Sequence, residues 1–330
     1  MKWLLAPLLI ASLAGCLAET VDEPDMETGM EPEPMPGFDY DVAHAVDWFE
    51  QFASGGKRDA YVPDLPGVTF NQASRDVIAD TLRDAGAEVN IIGYAAGALG
   101  ISAPDAVPIR AWAVEAVWPG SNESLGDLGL IAHYDTQAGT IVGAYDNGSG
   151  TAVVVHTCIA LSKLDLRRDL TCVLFDAEEV GTVASRAYAD STDRTFDLVL
   201  GFDMVGLNCD AYPWQLYGFV GANFAEQLFA FTNQTFHDVV GDCATVFDFN
   251  DRNSDEASFA SAGIPTIRFA GGRTAGAYDQ YHLPDDTVEH LYDLTGGRAG
   301  WESGFGDVMR VAYETAVRFD ATNLEELAAA

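Results

Sequence analysis

Three short apolar runs each end in side chains able to bind a metal ion or carry a proton. Leu130-Ile131-Ala132 runs into His133-Tyr134-Asp135, Val173-Leu174-Phe175 into Asp176-Ala177-Glu178-Glu179, and Val199-Leu200-Gly201-Phe202 into Asp203. If these runs are strands of one sheet, each delivers its polar residues at the C-terminal edge, where the loops of an open α/β sheet converge. Two further segments can reach that edge: the glycine-rich turn around Asp146 and the loop Tyr281-His282-Leu283-Pro284.

Singly, these residues are ordinary. A lone histidine at a strand end is more often a structural hydrogen-bonding residue, and neighbouring acids such as Glu178-Glu179 usually form a solvated turn. Together they make a donor set. The imidazoles of His133 and His282 with the carboxylates of Asp146, Glu179 and Asp203 suit a pair of zinc ions, provided one carboxylate bridges both. Adjacent side chains of an extended segment point to opposite sides, so Glu179 can hold metal while Glu178 faces the water to be activated.

The elements that must position this set follow from hydrophobic patterning. Asp41 to Ala53 and Ser74 to Ala85 read as two opening helices. Apolar strand-like runs near 88–94, 110–118, 128–132, 171–176, 197–202, 215–220 and 265–269 then alternate with helical patterns over 149–163, 183–190, 222–236, 255–262 and 303–318. Fully apolar runs suit strands covered on both faces, so the pattern predicts an α/β layered fold on a mostly parallel sheet, with antiparallel hairpins near its early edge.

The N-terminus predicts export. Residues 1–16 run from Lys2 through an apolar stretch to Leu13-Ala14-Gly15-Cys16, which resembles the bacterial lipobox, making Cys16 the expected lipid anchor. The absence of Asp after Cys16 fits sorting to an outer membrane or cell surface in a cell with two membranes. Residues 17–38 form an acidic, proline-rich tether with too little apolar surface to fold, and 39–330 form one domain. With 51 acids against 17 bases and a net charge of -34, nucleic acid is excluded as a partner. The chain is expected to be monomeric and to meet the membrane through its anchor. Beyond Cys16 stand Cys158, Cys172, Cys209 and Cys243, which can pair in three ways, while Cys158 and Cys172 also suit buried free thiols.

The segments His133-Tyr134-Asp135, Gly143-Ala144-Tyr145-Asp146-Asn147-Gly148-Ser149-Gly150, Ala177-Glu178-Glu179, Asp203-Met204-Val205-Gly206, Ser254-Asp255, Gly263-Ile264-Pro265 and His282 with Asp286-Thr287 resemble the zinc aminopeptidases that include bacterial leucyl aminopeptidases. The resemblance implies an α/β/α sandwich around a mixed sheet of about eight strands. It further implies two Zn2+ ions, one on His133 and Asp203, the other on Glu179 and His282, with Asp146 bridging and a cis bond after it. Glu178 becomes the general base for hydrolysis of peptide substrates. Asp135 becomes the acid that orients His133, and Asp286 is expected to do the same for His282. The tyrosine that helps the oxyanion in relatives is replaced by Asp251-Arg252-Asn253, which leaves Arg252 and Tyr281 as candidates.

Two other readings remain open. Glutaminyl cyclases share this fold and use one zinc, but tend to follow the bridging aspartate with serine, whereas Asn147 stands here. Non-catalytic relatives lose metal ligands, and all five are kept. Asn147-Gly148-Ser149-Gly150 lacks the first glycine of a nucleophile elbow. The oxygen-rich stretch 248–256 could hold Ca2+, though its spacing fails the EF-hand pattern.

Overall fold

The computed structural model describes residues 37–55, 58, 70–95, 110–208, 214–218, 225–241, 245–248, 254–271 and 278–322. Residues 1–36, which hold the expected export leader, Cys16 and all but the last two residues of the expected tether, lie outside the described residues, as do Cys209, Cys243, Arg252 and most of the stretch considered for Ca2+. Phe38, expected in the tether, instead packs edge-on against Tyr313. Pro36–Ala330 forms one contact unit.

The central strands explain themselves by burial. β3 (Asp127–His133) and β4 (Leu170–Phe175) are buried at every position, and β5 (Phe196–Asp203) at all but one. Their side chains alternate between two cores. Leu128, Leu130, Cys172, Leu174, Leu198 and Leu200 face one core, while Ile131, Val173, Phe175 and Val199 face the other. Such strands need a helix layer on each side, which is why they read as continuous apolar runs.

The first core is closed by α1 (Val42–Ser54), α2 (Phe70–Asp84), α3 (Gly150–Leu161), α5 (Ala225–Val240) and α8 (Arg298–Ala321). The second is closed by α4 (Val183–Ser191) and α6 (Glu256–Ser261). Around the central strands stand β1 (Glu88–Ala95), β2 (Arg110–Trp118), β6 (Trp214–Gly218), β7 (Thr245–Asp248) and β8 (Thr266–Gly271), in the order β1-β2-β4-β3-β5-β8-β6-β7. β3, β4, β5 and β8 run parallel, and the eight-stranded α/β/α sandwich agrees with expectation.

Antiparallel pairing occurs at the early edge, between β1, β2 and β4, as the pattern predicted. It also occurs between β6 and β8 near the other edge. The four-residue β7 is too short to carry a period. α7 (Val288–Thr295) lies where the pattern predicts no element, and α8 begins five residues ahead of the predicted start. Glycines hid that start. Gly304 in α8 lies where a β-carbon would come within 2.5 Å of the Gly206 carbonyl, so its absence of a side chain lets the helix close on the segment after β5. No described helix is long and apolar enough to cross a membrane.

Of the cysteine alternatives, the structure selects one pair: Cys158 on α3 is bonded to Cys172 on β4, with α-carbons 6.6 Å apart. They are buried, but they are not free thiols.

Candidate metal centre

β3, β4 and β5 end side by side, and their registers place His133, the Glu178-Glu179 loop and Asp203 around one cavity of about 380 Å³. Gly181, Thr182, Asp146, Tyr281 and His282 complete its lining. Every sequence-derived ligand is therefore brought to one place.

Asp146 lies between the two imidazoles. Its Oδ1 is 3.6 Å from Nε2 of His133, and its Oδ2 is 3.1 Å from Nε2 of His282. His133 also faces Asp203 Oδ1 at 3.6 Å, and His282 faces Glu179 Oε2 at 3.2 Å. Donor atoms within 4.8 Å of one another form three trios: His133, Asp146, Asp203; Asp146, Glu179, His282; and His133, Glu178, Glu179. The first two share Asp146.

The local chain explains how Asp146 is held. Gly143, at φ 62°, starts a turn through Ala144–Ser149 in which Asp146 and Asn147 leave helical geometry, and the Asp146–Asn147 peptide is cis. Asn147 donates from Nδ2 to the Phe202 carbonyl at 2.9 Å, while its Oδ1 accepts from Gly150 N at 2.9 Å and Met204 N at 3.1 Å. A β-carbon at residue 150 would overlap the Asn147 amide and the Phe202 carbonyl, so this junction of turn, α3 and β5 requires glycine. Thr151 on α3 donates to the His133 carbonyl at 2.8 Å.

Asp286 has a different task from the one expected. Instead of orienting His282, its carboxylate accepts from Tyr145 N at 2.8 Å, Asp146 N at 3.0 Å and the Tyr278 hydroxyl at 2.5 Å. It steadies the backbone that aims Asp146. Asp135 is close to its expected place, since His133 Nδ1 lies 3.3 Å from its carbonyl oxygen and 3.5 Å from its carboxylate. That carboxylate also accepts from the N–H groups of Glu178 and Glu179 at 3.1 and 3.2 Å, a second role that spacing did not show.

Two buried arginines near the cavity have roles that the sequence does not show. Arg58 donates to the Tyr134 and Gly143 carbonyls at 2.8 and 2.7 Å, which ties the β3 end to the Asp146 turn. Burial pushes its guanidinium down to about 10, against the pull of Asp286, Asp135 and Asp146. Arg268 on β8 lies 3.1 Å from Glu256 and 3.7 Å from Asp203. A lone arginine in an apolar strand was the available signal.

The electrostatics fit a bound cation. Burial raises Glu178 well above the usual carboxylate range and pushes Glu179 and Asp255 up to about 7, with neighbouring acids adding to each shift. Burial alone would lower His282, but Asp146 and Glu179 outweigh it and hold the imidazole at about 9. Glu179 Oε1 is buried without a hydrogen-bond partner. An orphaned acceptor among crowded, buried acids is what a metal would satisfy, and mixed nitrogen and oxygen donors suit zinc.

Four non-glycine residues with positive φ stand at this edge: Ala177 (61°), Thr182 (53°), Met204 (55°) and His282 (59°). They follow β4, begin α4, follow β5 and carry a donor, so backbone strain is concentrated where the donors converge.

Known proteins bear out the resemblance. Aminopeptidase YwaD of Bacillus subtilis is 28% identical over 173 residues, 49% of this chain and 36% of that protein, so the match spans about a third of that relative. BSAP, a zinc aminopeptidase from Bacillus subtilis, has a structure that superposes with a TM-score of 0.68 at 16% identity, covering 88% of this chain and 97% of that one. Porphyromonas gingivalis glutaminyl cyclase superposes at 0.65 with 20% identity, covering 86% and 98%. At these identities the two structures show the fold. The family is shown by the profile of peptidase family M28, which matches residues 113–301, from β2 into α8 and through every donor of the cavity, and the chain belongs to that family.

Proposed function

We propose that this protein is a zinc-dependent aminopeptidase that removes N-terminal residues from peptides. The observation that carries this reading is the Asp146 carboxylate, whose two oxygens face imidazoles belonging to two different donor trios. His133 and Asp203 would hold one zinc, Glu179 and His282 the other, and Asp146 would bridge them. Bound there, the two ions supply Lewis acidity toward the scissile carbonyl and the attacking water.

The chain's own groups do the rest. Glu178 takes a proton from water as its oxygen adds to the carbonyl carbon. When the carbon–nitrogen bond breaks, Glu178 returns that proton to the leaving amine. Asp135 fixes the pair Glu178-Glu179 through their N–H groups and keeps Nδ1 of His133 engaged, so Nε2 points into the cavity. The N-terminal segment supports export and anchoring through a lipid on Cys16, which would hold this site at the cell surface.

The test is an assay of the purified protein on aminoacyl anilides and N-blocked peptides, with and without chelator. Cleavage of free N-termini that stops with chelator and returns with zinc supports the reading. Cleavage of blocked peptides alone overturns it. One tightly bound zinc per chain, with cyclisation of N-terminal glutamine, would assign the site to a glutaminyl cyclase.

A further inference from the structure

Thr182 lines two cavities. One is the metal cavity, and the other, of about 310 Å³, lies between α4 and α6 with Arg186, Asp190, Ala257, Ser258 and Ser261 on its walls. Their chemistry differs. The first presents the carboxylates of Asp146, Glu178, Glu179 and Asp203, whereas the second presents one guanidinium, one carboxylate and the hydroxyls of Ser258 and Ser261, which already bond Ser185 and the Ala257 carbonyl.

Arg186 is exposed, and its Nη2 donates to the Gly181 carbonyl at 3.2 Å and to Thr182 Oγ1 at 3.1 Å. Those bonds draw the guanidinium to the wall that the cavities share. They use one of its three nitrogens and leave the remaining donors for a ligand. Arg75, Arg83, Arg194, Arg298 and Arg318 all lie against carboxylates. Among the described residues no acid lies within ion-pair distance of Arg186, in a chain with three times as many acids as bases. The first turn of α4 also carries no acid, so the positive end of the helix dipole adds to this charge. Asp190 lines the same cavity one turn further on, which confines favourable potential for an anion to the Thr182 end.

A peptide whose N-terminal residue occupies the metal cavity extends its leaving portion beyond the scissile bond by at most about 3.3–3.6 Å per residue. The second cavity is at the small end of the roughly 300–1,000 Å³ range of ligand sites, and it suits one or two residues. Arginine recognises a planar carboxylate with paired hydrogen bonds. Resting on the aminopeptidase reading, we propose that this cavity receives the leaving portion of the substrate and that Arg186 pairs with its C-terminal carboxylate, making short peptides with free C-termini the substrate class.

An acidic side chain on the leaving residue offers the same group, so the test separates the two sources. kcat and KM are measured for Leu-Gly, Leu-Gly-Gly, their C-terminal amides and Leu-Glu-amide, with the wild type and with Arg186→Gln, Arg186→Lys and Asp190→Asn. The wild type is expected to favour free acids over amides in kcat/KM, chiefly through KM. That ratio falls about tenfold in Arg186→Gln, recovers in part in Arg186→Lys and rises in Asp190→Asn. A fall for all substrates alike, or a wild type indifferent to amidation, overturns the proposal. It is also overturned if the preference goes to Leu-Glu-amide over Leu-Gly-amide with none for free acids, because the carboxylate read would then be a side chain. If no peptide is turned over, the aminopeptidase reading fails by itself. Calorimetric binding of Leu-Gly then still decides: about tenfold weakening in Arg186→Gln supports carboxylate recognition, and unchanged binding refutes it.

Discussion

The same strands carry buried acids at both ends, and the two ends are balanced differently. Near the starts of β3, β4 and β5, Arg194 lies 2.9 Å from Asp127 and 3.2 Å from Glu115, and Arg168 lies 2.9 Å from Asp197. Asp320, at the end of α8, accepts from the backbone N–H groups of Arg167 and Arg168. At the C-terminal ends, Asp146, Glu178, Glu179 and Asp203 converge on one another. Among the described residues, the guanidinium groups that face them are Arg58, which donates to carbonyls, and Arg268, shared with Glu256. Acids matched one by one with cations hold a fold together. Acids left in excess in a buried cavity mark a place for a cation that the chain does not supply.

That contrast can be broken at either end. The largest effect is expected from Glu178→Gln, which removes a proton carrier but no member of the Asp146-sharing trios: turnover of an aminoacyl anilide should fall about 10³-fold, within the range for lost general-base catalysis. Zinc content, measured on the dialysed protein, should stay as in the wild type. Loss of zinc together with turnover would make Glu178 a ligand, as its trio with His133 and Glu179 allows. At the balanced end, Arg168→Met strands Asp197 beside a buried methionine and should cost about 3–5 kcal/mol in urea unfolding. Zinc binding by the folded fraction should persist. A loss below about 1 kcal/mol would show that this pair is not structural.

Much of this was legible beforehand. The five donors could be read because strand ends are marked by an abrupt change from apolar to polar residues, and because glycines flag the Asp146 turn. The capping role of Asn147 is also written in the sequence, since an amide three residues before Gly150 is a helix-capping spacing. For Asp286, the spacing from His282 says that it is near the site, not that its carboxylate turns to Tyr145, Asp146 and Tyr278. Arg268 stands out as a lone arginine in an apolar strand, but neither its role nor that of Arg58 can be read from the sequence, because their partners are backbone carbonyls and acids far along the chain. The positive φ of Ala177, Thr182 and Met204 has no compositional trace, because these residue types do not advertise left-handed geometry.

A third environment sharpens the comparison, because its histidine responds to pH in the opposite sense from the acids of the metal cavity. His156 on α3 is buried against the rings of Trp48 and His44; its Nδ1 shares a hydrogen bond with the Tyr40 hydroxyl at 2.8 Å, and its Nε2 has no hydrogen-bond partner. Burial, helped by His44, pushes it down to about 3. Between about pH 3 and 6.5 the unfolded chain therefore binds more protons at this position than the native one, so stability rises with pH there. The contribution is fully present above 6.5 and is lost at about 1.4 kcal/mol per pH unit as pH falls toward 3. Burial raises Glu179 to about 7 and Asp286 to about 6, so the native state binds more protons at these groups, and in chelator they favour the fold as pH falls. The whole-protein profile mixes both signs, and His156→Gln isolates one, because a glutamine oxygen can still accept from Tyr40 without titrating. Urea unfolding in chelator should give a difference between wild type and His156→Gln that is constant above pH 7. Below that, the variant should gain relative to wild type by up to about 1.4 kcal/mol per unit between pH 6 and 4. A difference that stays flat across that range would mean that His156 is protonated within the fold and that its pocket is less dry than its burial indicates.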